Sequence, residues 1–188
     1  MIEVKELNKS FDGNYILNNI SAKFEQGKTN LIIGQSGSGK TVLLKCLLGL
    51  HKQDSGEVLY DGLSTNKMTE NQKTLLRREM GMVFQGSALF DSMTVLENVM
   101  FPLNMLTKKT DDEIVNTAQN AIKRVELENA YSKLPSELSG GMQKRVAIAR
   151  AIVIYPKYLF CDEANSGLDP KTAIVIDNLI QEITKEYN

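Results

Sequence analysis

The sequence predicts an α/β fold, and two stretches carry most of that prediction. Leu31-Ile32-Ile33 is a short apolar run ending at Gly34, and Val42-Leu43-Leu44-Lys45-Cys46-Leu47-Leu48 is a mostly apolar stretch stopping at Gly49. The chain is therefore expected to pass from a buried strand, through a glycine-rich loop, into a largely buried helix. Tyr158-Leu159-Phe160-Cys161 is a second apolar run of strand length, followed directly by Asp162 and Glu163, and it suits a central parallel strand. Strand signals alternating with helical ones around such a loop indicate a sheet covered by helices.

The elements follow in order. Ile2-Glu3-Val4-Lys5-Glu6-Leu7 alternates apolar and polar residues, Asp12-Gly13-Asn14 is a hairpin-type turn, and Ile20 to Phe24 alternates again before Gln26-Gly27-Lys28. Gly56-Glu57-Val58-Leu59-Tyr60, followed by Asp61-Gly62, is a further β signal expected in the same antiparallel layer. Three helix starts carry capping boxes: Thr69 with Gln72, Thr94 with Glu97, and Thr110 with Glu113. The third opens a helix with Ile114, Ala118, Ile122 and Val125 on one face. Leu134-Pro135-Ser136 breaks the chain ahead of a helix start at Ser139, and Pro156 ends that helix. Asp169-Pro170 is an N-cap and first-turn pair for a last helix, with Ile176, Ile180, Ile183 and Tyr187 on its buried side. The expected organisation is a single domain, with residues 1–67 and 155–188 forming a β subdomain and catalytic core and residues 68–154 a helical subdomain.

Composition narrows the class. A chain of 188 residues with 42% hydrophobic and 24% charged residues is ordinary for a soluble globular protein with one good core. A formal net charge of −1 gives no case for a nucleic-acid partner, which calls for a basic excess. Cys46 and Cys161 lie far apart inside apolar runs and are expected as buried free thiols, with no metal-ligand spacing. Met1 runs straight into a strand pattern, so no signal peptide is expected. The longest apolar stretch is interrupted by Lys45 and is too short to cross a bilayer. The expectation is a cytoplasmic protein that reaches a membrane only through a partner.

Gly34-Gln35-Ser36-Gly37-Ser38-Gly39-Lys40-Thr41 matches G-x-x-x-x-G-K-[ST] in full. Gly34, Gly37 and Gly39 let the backbone turn tightly so that successive N–H groups point inward as an anion nest. The helix beginning near Lys40 adds its dipole and its unpaired N–H groups. Lys40 would then meet the outer phosphates and the Thr41 hydroxyl would ligate Mg²⁺, which makes this a nucleoside triphosphate site. Asp162 and Glu163 end a strand expected beside the one feeding this loop, where ligands of open α/β sheets gather. Asp162 is the expected Mg²⁺ partner, directly or through water, and Glu163 the general base that polarises the attacking water.

Leu138-Ser139-Gly140-Gly141-Met142-Gln143 is a second glycine-rich helix start, with Ser139 as N-cap and Val146, Ala149 and Ile152 further along. Two readings stand. The glycines permit close helix packing, or the bare helix end binds the γ-phosphate held by a second copy of the chain, with ATP as the adhesive of a head-to-tail dimer.

With these motifs in this order, and Ser166-Gly167-Leu168-Asp169 beyond them, the chain resembles the ATP-binding subunit of the ATP-binding cassette (ABC) family over essentially its whole length. The resemblance implies a P-loop NTPase (RecA-like) core with an antiparallel β subdomain and a helical subdomain, and ATP and Mg²⁺ as cofactors. It extends the nucleotide-binding stretch to Val42 and gives Ser139, Gly140, Gly141 and Gln143 the role of contacting ATP across the dimer. Phe11 takes the place of the aromatic that stacks on adenine, although as a residue it reads equally well as a core aromatic beside a hairpin. Gln85 looks like the glutamine that touches Mg²⁺ and the attacking water and links the site to an integral-membrane permease. Asp169 looks like the aspartate at the dimer seam.

Within the family, the stretch from Phe84 to Val99, with Phe101-Pro102-Leu103, is similar to the ATPase of Mla-type phospholipid transporters, which work with a permease and a substrate-binding protein of the mammalian-cell-entry type. Apolar Ala88, Leu89, Phe90 and Met93 suit a groove for a partner's helix, or packing within the helical subdomain. The chain departs from the family at Ala164-Asn165, where most members have Pro-Thr, and the turn there is expected to loosen. The family's switch histidine lies on a strand beyond Asn188, so the C-terminal strands are expected to be missing from a truncated chain. His51, the one histidine, is expected at the surface in a polar turn. The implied function is an ATPase on the inner face of the cell membrane, dimeric with ATP, powering transport of lipid or other hydrophobic cargo. The alternatives are a soluble non-transport ABC ATPase and a truncated copy that binds nucleotide without hydrolysing it.

Overall fold

The computed structural model describes residues 1–187, and of Tyr187 only the main chain, so the expected burial of that side chain lies outside the described residues. The described chain divides into two compact units, residues 1–77 with 184–187, and residues 78–183.

The first unit is built on an antiparallel sheet of order β2-β1-β3-β4, with β1 Ile2–Phe11, β2 Asn14–Phe24, β3 Ser55–Tyr60 and β4 Leu63–Ser64. The β1–β2 turn closes on the pair Phe11 and Asn14, and Asp12 and Gly13 take φ values of 51° and 81°. Positive φ at both central residues matches the right-handed twist of the flanking strands. Asp61 and Gly62 repeat the device between β3 and β4. Val4, Leu7, Leu17 and Val58 fill the inner side of this sheet, each contributing on the order of 2 kcal/mol by leaving water. Helix α1, Lys40–Leu47, buries Leu43, Leu44, Cys46 and Leu47, and Gly49 at φ 69° follows its end. Helix α2, Glu70–Arg78, is capped as expected, with the Gln72 N–H donating to the Thr69 hydroxyl and the Thr69 N–H to the Gln72 amide.

One expectation fails here. Leu31 and Ile33 are each 82% exposed and residues 31–33 form no strand. A strand is a hydrogen-bonding relationship and not a property of an apolar run. Among the described residues none pairs with 31–33, and the Asn30 side chain instead closes a turn onto the main chain of Glu25 and Lys28.

The second unit holds a parallel pair, β5 Met80–Val83 and β6 Tyr158–Cys161, and the helices α3 Val95–Leu106, α4 Asp111–Arg124, α5 Gly140–Ile152 and α6 Pro170–Tyr187, the last of which continues into the first unit. Within this unit β6 pairs in parallel with Met80–Val83, a strand whose period-2 signal covers only four residues; the expected strand at 31–33 is not formed, so no pairing with it is described. The capping boxes at Thr94 and Thr110 both form. In α4, Ile114, Ala118 and Ile122 are buried, as is Val125 at its end. Helix α5 is the central one, burying Val146, Ala147, Ile148, Ala149, Ala151 and Ile152. Gly81 of β5 lets it approach, because a Cβ there would stand 2.4 Å from the Ala151 carbonyl oxygen. Ile176 and Ile183 are buried in α6, whereas Ile180 is half-buried.

Candidate functional site

In the first unit the glycine loop enters α1 as a cradle. Gly37 and Gly39 take φ values of 79° and 91°, and a Cβ on Gly39 would also lie 3.0 Å from the Ile16 carbonyl oxygen, so only glycine fits that turn. Gly39 caps α1 with no side-chain hydrogen bond, which leaves the end of the helix to a ligand. The Lys40 ammonium donates to the Gly34 and Gln35 carbonyl oxygens at 3.0 Å each, and the Ser38 N–H to the Gln35 oxygen at 3.2 Å. The loop is thus closed on its own lysine, with Gln35, Ser36, Gly37 and Ser38 exposed. Thr41 and Val42 follow on the first turn of α1, both half-buried. Backbone donors, a helix N-terminus and an ammonium together form a donor set for the oxygens of a polyphosphate, and the Thr41 hydroxyl is a hard oxygen ligand of the kind Mg²⁺ takes.

Phe11 ends β1 with 40% of its surface exposed. The His51 ring meets it edge-on at 5.4 Å and the Lys9 ammonium stands 5.1 Å from its centroid. His51 is half-buried in this contact, so the expected surface histidine is in fact part of the support of Phe11.

In the second unit the parallel register decides the geometry. Val83 pairs with Cys161, so Gln85 and Glu163, each two residues beyond that pair, emerge at the same carboxyl end. The Gln85 amide donates to the Glu163 carboxylate at 2.8 Å. Glu163 is exposed and holds φ 48°, a conformation a non-glycine residue adopts at a cost of about 1–3 kcal/mol and one that concentrates at working sites. Asp162, half-buried, continues the ladder through its N–H to the Val83 oxygen at 2.9 Å. The turn beyond is tied down and not loosened: Ala164 is buried and the Asn165 amide donates to both Asp177 carboxylate oxygens of α6 at 3.1 and 3.2 Å. Cys46 is buried as expected, whereas Cys161 is half-buried, although burial pushes its thiol up to about 12.

Two basic residues that the motifs do not name complete this cluster. The Lys144 ammonium donates to the Gln85 carbonyl oxygen, and the Arg150 guanidinium to the Ala88 and Ser87 carbonyl oxygens at 2.8 Å each. Lys144 was legible as an anomaly, a lysine in the stripe Lys144, Ile148, Ile152 that α5 buries.

At the start of α5 the Met142 N–H donates to the Ser139 hydroxyl at 3.3 Å. The two glycines differ in their surroundings. A Cβ on Gly141 would lie 2.6 Å from Thr172 of α6, so that glycine packs two helix starts together, whereas Gly140 meets nothing nearer than Leu168 at 3.6 Å. Gln143, expected to face a second copy, turns its amide back onto the Pro135 oxygen at 3.0 Å, because those carbonyls of the preceding loop need a donor. Asp169 caps α6, accepting the Lys171 and Thr172 N–H groups at 3.1 Å each, and the Thr172 hydroxyl and N–H hold its carboxyl below the usual range.

The ABC transporter family model matches residues 17–166, which takes in the glycine loop, the Ser139 helix start and the Asp162-Glu163 strand end. The chain belongs to the ABC transporter family. Among curated ABC proteins, the methionine import ATP-binding protein MetN of Clostridium tetani is 42% identical over 186 residues, 99% of this chain and 58% of that protein. The probable ribonucleotide transport ATP-binding protein mkl of Mycobacterium leprae is 38% identical over 187 residues, all of this chain and 54% of the relative. The chain thus spans little more than half the length of these two relatives. Among solved structures, the dimeric post-hydrolysis state of the ATP-binding cassette MJ0796 bound to ADP and Pi superposes with a TM-score of 0.88 at 34% identity, covering 99% of this chain and 84% of that one. The fold is therefore the mixed α/β fold of the ABC cassettes, as the motif order implied.

Proposed function

We propose that this chain is the ATP-binding and ATP-hydrolysing cassette of an ABC membrane transporter, working as a homodimer closed on ATP and Mg²⁺ at the inner face of the cell membrane. The observation that carries the reading is the Gln85–Glu163 hydrogen bond at the carboxyl end of a parallel strand pair, in a chain that also bears the complete phosphate loop. Gly34 to Val42 hold the phosphates by backbone N–H groups, and the Lys40 ammonium leaves the Gly34 and Gln35 carbonyls for the outer phosphates. Thr41, Asp162 and Gln85 would hold Mg²⁺ through oxygen, and its charge would offset that on the transferred phosphoryl group and the departing ADP. The Glu163 carboxylate accepts the proton of the attacking water while Gln85 orients it. Phe11, framed by His51 and Lys9, stacks on the adenine. Ser139, Gly140 and Gly141 face the nucleotide of the second copy, while the Gln143 amide braces the loop before them through the Pro135 oxygen, and Asp169 stands at the seam. The working division remains residues 1–67 and 155–188 as β subdomain and catalytic core, with 68–154 as helical subdomain.

The permease is taken up through the surface after Gln85. Phe84 and Phe90 are exposed there, with the Phe90 and Phe101 rings 4.7 Å apart and Met105 exposed nearby, and such a face suits an apolar helix of a partner. The finer reading, phospholipid cargo with a substrate-binding protein of the mammalian-cell-entry type, rests on the likeness of residues 84–103 to the Mla-type ATPases. The relatives are named for methionine and ribonucleotide transport, so the cargo is tested directly: the permease complex purified with this chain, reconstituted in vesicles, moves labelled phospholipid only with ATP. Movement of polar solutes alone would exclude the lipid.

For hydrolysis, Glu163→Gln in the full-length protein lowers ATP turnover about 100-fold or more with nucleotide affinity within twofold of wild type. Unchanged turnover would remove Glu163 from the chemistry.

A further inference from the structure

We propose that Lys144 is a positioning residue: by tethering the main chain of residue 85, its ammonium holds the Gln85 amide on the Glu163 carboxylate. The hydrolytic role of Glu163 rests on the function proposed above; the tether itself does not.

Lysine is seldom buried without a partner, and Lys144 is 5% exposed at the N-terminal end of an otherwise apolar stripe of α5. Its ammonium donates to the Gln85 carbonyl oxygen; burial pulls its pKa below the ordinary lysine value, and the Asp162 and Glu163 carboxylates offset part of that. A methionine would fill the same space without burying a charge, so packing does not account for the ammonium. What it grips does. Gln85 lies beyond the last paired residue of β5, and no ladder bond fixes it. Phe84, Gln85, Gly86 and Ala88 around it are exposed, and Ser87 and Ala88 take φ values of 63° and 48°. Such a loop stays in one conformation only if it is held from outside itself. Helix α5 supplies both grips, Lys144 on residue 85 and Arg150 on residues 87 and 88. The Ser139-Gly140-Gly141 start of the same rigid helix lies just over one turn before Lys144. A shift of that helix end therefore displaces the Gln85 amide relative to Glu163.

The test uses the full-length protein with Lys144→Met, Gln85→Ala and both together. Hydrogen exchange is followed at the Ser87 and Ala88 amides, which bond the Phe84 and Gly86 oxygens. In Lys144→Met these amides exchange at least tenfold faster while those of β6 are unchanged. Turnover of ATP falls at least tenfold, with fluorescent-nucleotide affinity within twofold of wild type. In the Gln85→Ala background the same change costs less than twofold, because the group being positioned is already gone. Exchange and turnover both within twofold of wild type would overturn the proposal, as would losses that multiply in the double variant. Should Lys144→Met lack the wild-type circular dichroism spectrum, Lys144→Gln, whose amide has a shorter reach, is read in the same way. A wild-type protein that hydrolyses no ATP, with faster loop exchange in Lys144→Met, overturns the role of Glu163 and leaves the tether standing.

Discussion

Three donors converge on Asp54. The Lys9 ammonium meets one carboxylate oxygen at 2.7 Å, and the Ser10 hydroxyl and N–H meet the other at 2.7 and 2.6 Å. Together they bring its carboxyl down to about 2, the Lys9 bond first among them. Because the folded-state value lies below the unfolded one, the stabilisation is complete above the ordinary carboxylate range and is lost as pH falls toward the folded value. The melting-temperature difference between wild type and Asp54→Asn is therefore expected to be constant above about pH 5 and to shrink below about pH 4; a difference independent of pH down to about pH 2 would exclude ionised Asp54 as its source. Lys9 also stands over the Phe11 ring, so the same variant reports on the proposed adenine platform.

Among the elements, α3 shows how a site loop is held without catalytic residues. Asn98 has no exposed surface, and its amide accepts from the Phe90 N–H at 2.8 Å and donates to the Phe90, Met93 and Thr94 oxygens at 3.1, 2.9 and 3.0 Å. One side chain thus satisfies the main chain of the 90–94 turn, which no strand or helix covers. Asn98→Ala removes the acceptor of the Phe90 N–H and the donor to the Met93 oxygen and is expected to cost about 2 kcal/mol in urea denaturation; a loss below about 0.5 kcal/mol would mean that water replaces the amide. Sequence signals located the start of α3, through the Thr94 and Glu97 box, but an asparagine inside a helix carries no mark of what it will bind. The partners of Lys144 and Arg150 are illegible for the same reason: they are backbone carbonyls roughly 60 residues away, and every residue has one of those.

For the molecule as a whole, the proposed dimer is tested at the helix end that has room. Gly140 tolerates a side chain, its nearest neighbour being Leu168 at 3.6 Å, and it is not needed for packing as Gly141 is. In full-length protein carrying Glu163→Gln, ATP with Mg²⁺ is expected to give a dimer by light scattering. Adding Gly140→Asp, which sets a carboxylate against the phosphate, leaves a monomer with an unchanged melting temperature. A dimer that persists would move the interface elsewhere.

By itself, the sequence determined what depends on neighbours along the chain. The two hairpin turns, the three capping boxes, the Ser139 and Asp169 caps and the glycine loop all follow from φ preference and from side chains reaching their own helix ends within a few residues. Tertiary structure alone decided what depends on distant partners. Leu31-Ile32-Ile33 carries a strand's composition yet pairs with nothing described, while Met80–Val83, with a weaker signal, pairs with β6. Hydrogen bonding between strands is set by which edges meet, and a short apolar run does not encode its partner. The meeting of Gln85 with Glu163, and the buried lysine that holds it, belong to that second class.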